Sequence, residues 1–285
     1  AMRAPATAIS EFVPYSAHVS PHAVKTTGGD YLLIWRLSGL PFVGREPWEL
    51  EHRHGTFNRM LQTLRAPDFV NVAFWAHDVR RRGRIATTAR FAQAFNQTLS
   101  DGYFAALSAQ KIMQNELYLT LIYRPIVTGK SFAEKSADLK RLQATQERCI
   151  SALDELADNV EAVLKDYAPR RLGMYEGANG VVFSETLELL AYLLNRIDEP
   201  VPVLRAPVCD YLAVSRHTFS ARTGDFVIGV PGGGHQFGAI LNIKEYPEGT
   251  FPGILNGLKY LDFEYVITHS FSPIGRQDAL RILDR

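Results

Sequence analysis

Cysteine is scarce in this chain, which has only Cys149 and Cys209 among its 285 residues. Small secreted domains that depend on disulfides carry a much higher density of cysteine. Cys149 also lies within a run of apolar residues at helical spacing, where a side chain of this size packs against its neighbours. We therefore predict that both cysteines are packing residues without a disulfide, and that the chain works in a reducing compartment such as the cytoplasm.

The chain also lacks long apolar runs and a strong net charge. The stretch Leu187–Leu194 is interrupted by Glu188 and is far shorter than the roughly 20 residues that cross a bilayer. The first residues, AMRAPATAISEFVPY, have no apolar core, so we expect no signal peptide. A formal charge of +1 gives no overall basic field. Any contact with nucleic acid or anionic lipid must then come from a local patch.

The first half of the chain has the pattern of alternating strands and helices. Three segments are rich in β-branched and aromatic residues, and the two segments between them carry apolar residues at helical spacing. The predicted strands are Asp30–Leu37, Phe69–His77 and Glu116–Tyr123, and the predicted helices are Pro47–Leu64 and Thr88–Met113. This half therefore reads βαβαβ, and the order of its strands within the sheet is left open.

A long helix is predicted for Ala133–Tyr167. Its apolar residues form a seam at alternating steps of three and four, and Ile150, Ala157 and Leu164 add a second column that widens the stripe. A stripe of this width favours packing against the sheet of the same domain, although a dimeric coil is the alternative. In particular, we predict that Leu153, Leu156 and Val160 are buried.

Two breaks suggest a boundary within the chain. A glycine-rich segment, Glu176–Gly180, and a proline-rich one, Asp198–Pro207, flank a predicted helix at Phe183–Asn195. We predict one α/β subdomain over residues 10–176 and a second α+β subdomain over residues 177–285, with a single continuous domain as the alternative.

The C-terminal part is predicted to be rich in strands. Phe237–Tyr246 and Phe263–Phe271 have strand composition, and the connector Pro247–Asp262 holds a short helix-sized stretch. Together they predict a strand–helix–strand unit. The fold class is therefore α+β, with mixed sheets and packed helices.

Two glycine-containing segments resemble nucleotide-binding loops. Gly129–Ser131 matches the end of a P-loop, but Arg124 stands where the first glycine is needed, and Pro125 follows without an amide donor. We interpret this segment as a strand-to-helix turn in which Ser131 caps the helix with Glu134. Pro231–Gly238 lies between two strand-like runs instead of opening a helix, which favours a hairpin loop with a solvated His235 at its tip.

A cluster of arginines is the strongest local charge. It follows a predicted strand and comprises Arg80, Arg81, Arg82 and Arg84. Such a cluster can bind phosphate, lipid headgroups or an acidic partner, or it can be a solvated turn. Because no aromatic residue is interleaved with the arginines, a base-stacking surface is not expected. A nucleic-acid-binding module that acts through this cluster is one functional alternative.

The sequence does not predict a metal site or a catalytic group. His52 and His54 have no third ligand nearby, and Pro21 stands between His18 and His22, which opposes a helix that would present both. The carboxylates near the C-terminus have no evident nucleophile or base beside them. A free-standing enzyme would need a site that these residues do not provide.

Several segments together resemble the N-terminal domain of the type IV secretion ATPases, the CagE/TrbE/VirB family. The firmest are LNIKEYPEGTFPGILNGLKYLDFEYVITHSF, within Phe237–Phe271, and NELYLTLIYRP and FSETLELLAYLLN. FVPY and GDYLLIWRLSGLPF are similar more faintly.

This resemblance implies a docking or assembly domain without catalysis, found in the bacterial cytoplasm on the inner membrane. ATP and Mg²⁺ would bind only in the C-terminal motor domain, which has no counterpart here. The implied partners are that motor, other inner-membrane secretion components and further copies in a hexamer. Because the family works at the inner membrane, the resemblance also makes an anionic membrane surface the first choice of partner for the arginine cluster.

The end of the strand–helix–strand unit is a candidate coupling face toward that motor. The resembling family continues from here into its nucleotide-binding domain, and neighbours in sequence are usually neighbours in space. Charged and aromatic groups at the end of an apolar strand suit a wet interdomain contact. The candidate residues are Lys244, Glu245, Tyr246 and Glu248.

Overall fold

The structure is a computed structural model, and it describes residues 8–40, 44–63, 71–83, 90–108, 110, 112–125, 139–230, 232–243, 245, 248–249, 251, 253–274 and 280. The described chain folds around a seven-stranded antiparallel sheet. In chain order its first elements are β1 (Tyr15–His18), β2 (Val24–Thr26), β3 (Tyr31–Leu37), α1 (Pro47–Thr63), β4 (Val72–Arg82), α2 (Ala94–Ser108), β5 (Met113–Tyr123) and α3 (Leu139–Leu164).

The remaining elements complete this sheet and add two small ones. They are β6 (Pro169–Arg171), β7 (Met174–Glu176), β8 (Val182–Ser184), α4 (Glu185–Asn195), α5 (Val208–Leu212), β9 (Arg216–Phe219), β10 (Asp225–Val230), β11 (Gly234–Ala239) and β12 (Tyr265–Phe271). The large sheet has the order β1-β2-β3-β5-β4-β12, and β6 pairs with β3. The small sheets have the orders β11-β10-β9 and β7-β8.

Strand β3 shows why this sheet is the centre of the fold. Its first five residues are all buried, because helices cover both faces of the sheet there. Trp35 packs with Leu153 and Val160 of α3 on one face, and Ile34 packs with Leu187 of α4 on the other.

The prediction that α3 packs on the domain's own sheet is confirmed. Leu153, Leu156 and Val160 lie in the same buried cluster as Trp35 and Phe74 of the sheet. Both cysteines are free and belong to the packing of the two clusters, as predicted.

The α+β class and the βαβαβ order of the first half are also confirmed, with two changes of extent. Helix α2 covers only residues 94–108 of the predicted 88–113. Strand β4 continues to Arg82 instead of ending at His77, so Arg80–Arg82 lie inside a strand and not after it. Within the sheet β5 lies between β3 and β4 and pairs antiparallel with both of them.

The predicted strand–helix–strand unit is partly wrong. Strand β12 matches the second prediction closely, but β11 ends at Ala239, and the only helical turn described between them is the 3-10 helix Asn256–Tyr260. The two strands also belong to different sheets, since β11 pairs with β10 whereas β12 pairs with β4. His235 lies in β11 opposite Gly229 and not at the tip of the hairpin.

The division into two subdomains at residue 176 stays a prediction. The contacts between the two parts of the chain are relevant to it. Elements on the C-terminal side of that point, α4 and β12, pack on or pair with the large sheet built by the N-terminal side. Gly129, Lys130 and Ser131 lie outside the described residues, as does the start of the predicted long helix.

Candidate interaction surfaces

The end of β4 that carries Arg80–Arg82 is joined to the C-terminal part of the chain. The Arg80 guanidinium donates to Asn115 Oδ1 at 2.9 Å and twice to the Leu261 carbonyl, at 3.2 and 3.3 Å. The backbone N–H of Arg82 donates to Glu264 Oε1 at 3.0 Å. Arg80 is buried, so its guanidinium group makes its contacts within the fold.

Arg81 belongs to an ion cluster on the α4 face of the sheet, centred on the buried Glu116. Its guanidinium lies 2.7 Å from Glu116 Oε2 and 3.0 Å from Asp198 Oδ1, and it stacks over the Tyr192 ring at 5.0 Å. Arg36 approaches the other oxygen of Glu116 at 2.9 Å. This cluster fastens β3, β4 and β5 to the residues at the end of α4.

Tyr118 completes that cluster. Its hydroxyl donates to Glu116 Oε2 at 2.8 Å. Burial, together with the adjacent negative charge of Glu116, raises the pKa of the Tyr118 hydroxyl well above its ordinary value. The hydroxyl therefore stays protonated and acts as a donor throughout the physiological range.

The predicted interaction residues are thus placed in different ways. Arg80 and Arg81 have partners inside the fold, and the side chain of Arg82 is exposed. Arg84, Lys244 and Tyr246 lie outside the described residues. Glu245 and Glu248 are exposed. Their role in binding stays a prediction.

Several highly exposed apolar side chains follow β11. Leu241 is 92% exposed, Tyr260 is 88% exposed and Ile240 is 75% exposed. We call the C-terminal apolar surface the set Ile240, Leu241, Ile243, Phe251, Tyr260 and Phe263. Side chains of this kind are exposed singly on many proteins, whereas a run of them makes this segment a candidate binding surface.

Helix α2 exposes a second apolar face, made by Phe95, Leu99 and Tyr103. These residues repeat at intervals of four, the spacing of one helix face, yet none of the helix's residues is buried. Periodicity predicted this helix correctly but could not show that its apolar side faces away from the core.

An apolar cavity of about 280 Å³ lies between the large sheet and the end of α3. Phe74, Phe271 and Tyr167 are among its walls, and Asp78 also lines it. Burial raises the pKa of the Asp78 carboxyl. Because the walls come from segments far apart in the chain, no local pattern could have predicted this cavity.

Two histidines have structural partners. The Nε2 of His18 lies 2.7 Å from Ser184 Oγ, a pairing that resembles a nucleophile and its base. Ser184 is fully buried, however, and its Oγ accepts from the Leu187 N–H as the cap of α4. His22 Nδ1 lies 3.0 Å from the Leu172 carbonyl. In the described part of the chain, no group of acidic, histidine or cysteine side chains is arranged to hold a metal ion.

The described helices include none that combines the length and apolar character needed to cross a bilayer.

Comparison with known families assigns both parts of this structure. Residues 22–131 match the N-terminal domain of the type IV secretion system ATPase VirB4/TrbE. Residues 170–285 match the CagE, TrbE, VirB family, a component of the type IV transporter system.

Individual relatives agree with these matches. The chain is 35% identical to the type IV secretion system protein PtlC of Bordetella pertussis, over 98% of the chain and 34% of that protein. It is 32% identical to virB4 of Brucella suis, over 97% of the chain and 34% of the relative. It is 27% identical to virB4 of Bartonella quintana, over 96% of the chain and 35% of the relative. The chain thus spans about a third of the length of these relatives. It belongs to the type IV secretion ATPase family of VirB4 and TrbE and corresponds to the N-terminal domain.

Proposed function

We propose that this chain is a non-catalytic docking and assembly domain, which links the motor of a type IV secretion ATPase to inner-membrane components of the secretion channel. The observation that carries the proposal is the C-terminal apolar surface. A linking domain needs surfaces that are completed only by its partners, and the chain exposes this one and the apolar face of α2.

The motor domain is the proposed partner of the C-terminal apolar surface. This surface consists of exposed apolar residues, and two exposed carboxylates, Glu245 and Glu248, lie in the same segment of the chain. Apolar centres with polar rims are the usual anatomy of protein interfaces. Lys244 and Tyr246, which neighbour these carboxylates in the sequence, stay candidate contact residues of the motor.

The proposed location is the cytoplasm, at the inner face of the inner membrane, and the full-length ATPase would assemble as a hexamer. Contact of Arg82, which is exposed, and of Arg84 with anionic lipid is part of this proposal. A nucleic-acid-binding function receives less support, because the side chains of Arg80 and Arg81 already have partners within the fold. Arg80 donates to Asn115, and Arg81 forms ion pairs with Glu116 and Asp198.

Substitutions in the C-terminal apolar surface test the coupling to the motor. In the full-length ATPase, Leu241→Ser and Tyr260→Ser are expected to lower ATP turnover or hexamer assembly by about tenfold, since each removes apolar contact worth on the order of 1–2 kcal/mol. The melting temperature of the domain should not change, because both side chains are almost fully exposed. Steady-state hydrolysis, gel filtration with light scattering and calorimetry would measure these effects.

Phe12→Ser is the matched control for that experiment. Phe12 is also highly exposed, at 73%, but it lies at the opposite end of the described chain. Its turnover and assembly should equal those of the wild type. Normal turnover and assembly in Leu241→Ser and Tyr260→Ser would contradict the proposal.

The isolated chain is expected neither to hydrolyse ATP nor to bind it tightly. Arg124 and Pro125 stand where a P-loop requires glycine and free amides. Isothermal titration calorimetry with Mg²⁺-ATP should show no saturable binding. Micromolar binding that Lys130→Ala abolishes would contradict this prediction and would restore Gly129–Ser131 as a phosphate loop.

A further inference from the structure

The apolar cavity beside α3 contains a polar atom that no described residue satisfies. Phe74, Ala76 and Asp78 of β4 lie on the same face of the sheet, because side chains alternate along a strand, and all three line the cavity. The Oδ1 of Asp78 is buried, and no hydrogen-bond donor among the described residues reaches it. Leaving a buried acceptor without a donor is unfavourable, so this atom marks a position where a donor is expected.

The walls of the cavity suit a planar aromatic molecule. From the sheet, the rings of Phe74 and Phe271 are stacked with their centroids 5.1 Å apart. From the helices, Phe57 and Tyr167 meet edge to face at 6.0 Å. Rings in such arrangements offer faces and edges that favour a further aromatic ring. An apolar cavity of about 150 Å³ holds one benzene molecule, so the volume of about 280 Å³ has room for two fused rings.

The surroundings of Asp78 favour an uncharged donor. Lys259 and Arg80 already place positive charge near its carboxyl group, so a ligand cation would meet like charges there. Water is a poor occupant, because a buried water needs two to four polar partners and the cavity walls are almost wholly apolar. The N–H of an indole ring is a donor that adds no charge.

We propose that this cavity binds a small bicyclic aromatic molecule of the indole class, whose N–H donates to Asp78 Oδ1. Ligand pockets usually combine apolar and aromatic walls with a few polar groups that orient the ligand. Leu117 and Phe271 line the cavity and are 39% and 36% exposed, which gives a small molecule access from solvent. The lining shares no residue with the C-terminal apolar surface, so this inference is independent of docking to the motor.

Isothermal titration calorimetry of the chain with indole tests the proposal, with benzofuran as the comparison ligand. Benzofuran has the same fused-ring shape but carries an oxygen acceptor where indole carries its N–H. Indole should bind with a Kd on the order of 100 μM, as expected for a ligand of so few atoms. It should bind at least about tenfold more tightly than benzofuran, which leaves Asp78 Oδ1 without a donor. Nuclear Overhauser effects from indole to Leu119 and Phe271 would locate it in the cavity.

Three variants separate this site from other apolar surfaces. Asp78→Leu should remove the preference for indole, and Ala76→Leu, which fills the cavity, should abolish binding of both ligands. Asp225→Leu is the matched control, because Asp225 also lies in a strand but is exposed in β10 and does not line the cavity. It should bind indole like the wild type.

The comparison of the two ligands on the wild-type chain decides the proposal even if a variant does not fold. Equal affinities for indole and benzofuran would overturn it, as would indole binding that survives Ala76→Leu. A chain that binds neither ligand would also overturn it and would leave the cavity to a side chain of a partner protein.

Discussion

Leu153→Ala is expected to lower the free energy of unfolding by about 3–5 kcal/mol, since it deletes most of a fully buried side chain from the interface between α3 and the sheet. Leu156 is slightly less enclosed, and Leu156→Ala should cost about 2–4 kcal/mol. Urea denaturation followed by circular dichroism would measure both values.

Glu155→Ala is the control for these two variants, because Glu155 lies between them on the exposed side of α3. It should change the stability by less than about 0.5 kcal/mol. If Leu156→Ala only dissociated a dimer and left a monomer with the same melting temperature, α3 would be a coil between subunits.

Removing Glu116 should destabilise the domain by about 3–5 kcal/mol. Its carboxylate is buried between Arg36 and Arg81 and accepts from the Tyr118 hydroxyl. Glu116→Ala leaves the Arg81 charge and the Tyr118 donor without this partner in a largely buried site, which costs far more than the pair itself contributes. The loss should appear as a lower midpoint in thermal and urea unfolding.

Asp198→Asn is the comparison within the same cluster. Asp198 is 45% exposed, so solvent screens its contact with Arg81, and the expected loss is below about 1 kcal/mol. Similar losses in Glu116→Ala and Asp198→Asn would contradict the view that Glu116 organises this cluster.

The sequence predicted the elements of the first half better than their arrangement. Strands such as β3 and β5 are identifiable because consecutive apolar and aromatic residues are rare outside strands and buried helices. Their order depends on which strands pair across long stretches of chain, and local spacing does not contain that information. The short strands β1 and β2 lie beside Pro14 and Pro21 and were not predicted.

The error at β11 has a physical cause. Ile240–Ile243 has the composition of a strand, but in the described structure no neighbour pairs with it, and most of its apolar side chains stay exposed. Strand propensity expresses how well a side chain packs against neighbours, so composition alone does not show whether a neighbouring strand is present. In the same way, helical spacing identified α2 but not which surroundings its apolar face has.

The arginine cluster shows a second limit of prediction from the sequence. Their clustering was plain from the sequence, but their partners Glu116, Asp198 and Leu261 lie far along the chain. Only the folded arrangement shows which charges are used internally. The apolar cavity beside α3 could not be predicted for the same reason.

The pairing of β4 with β12 has a consequence for the chain while the ribosome is making it. His77 and Thr268 are opposite each other but 191 positions apart, so a ribosome adding about 5–20 residues per second leaves the β4 edge open for roughly 10–40 s. An open edge of this length invites pairing with another nascent chain. Arg80, Arg81 and Arg82 place three positive charges at the end of that edge, where like charges on two newly made chains repel. Residues that tie the finished fold together thus also discourage aggregation before β12 emerges.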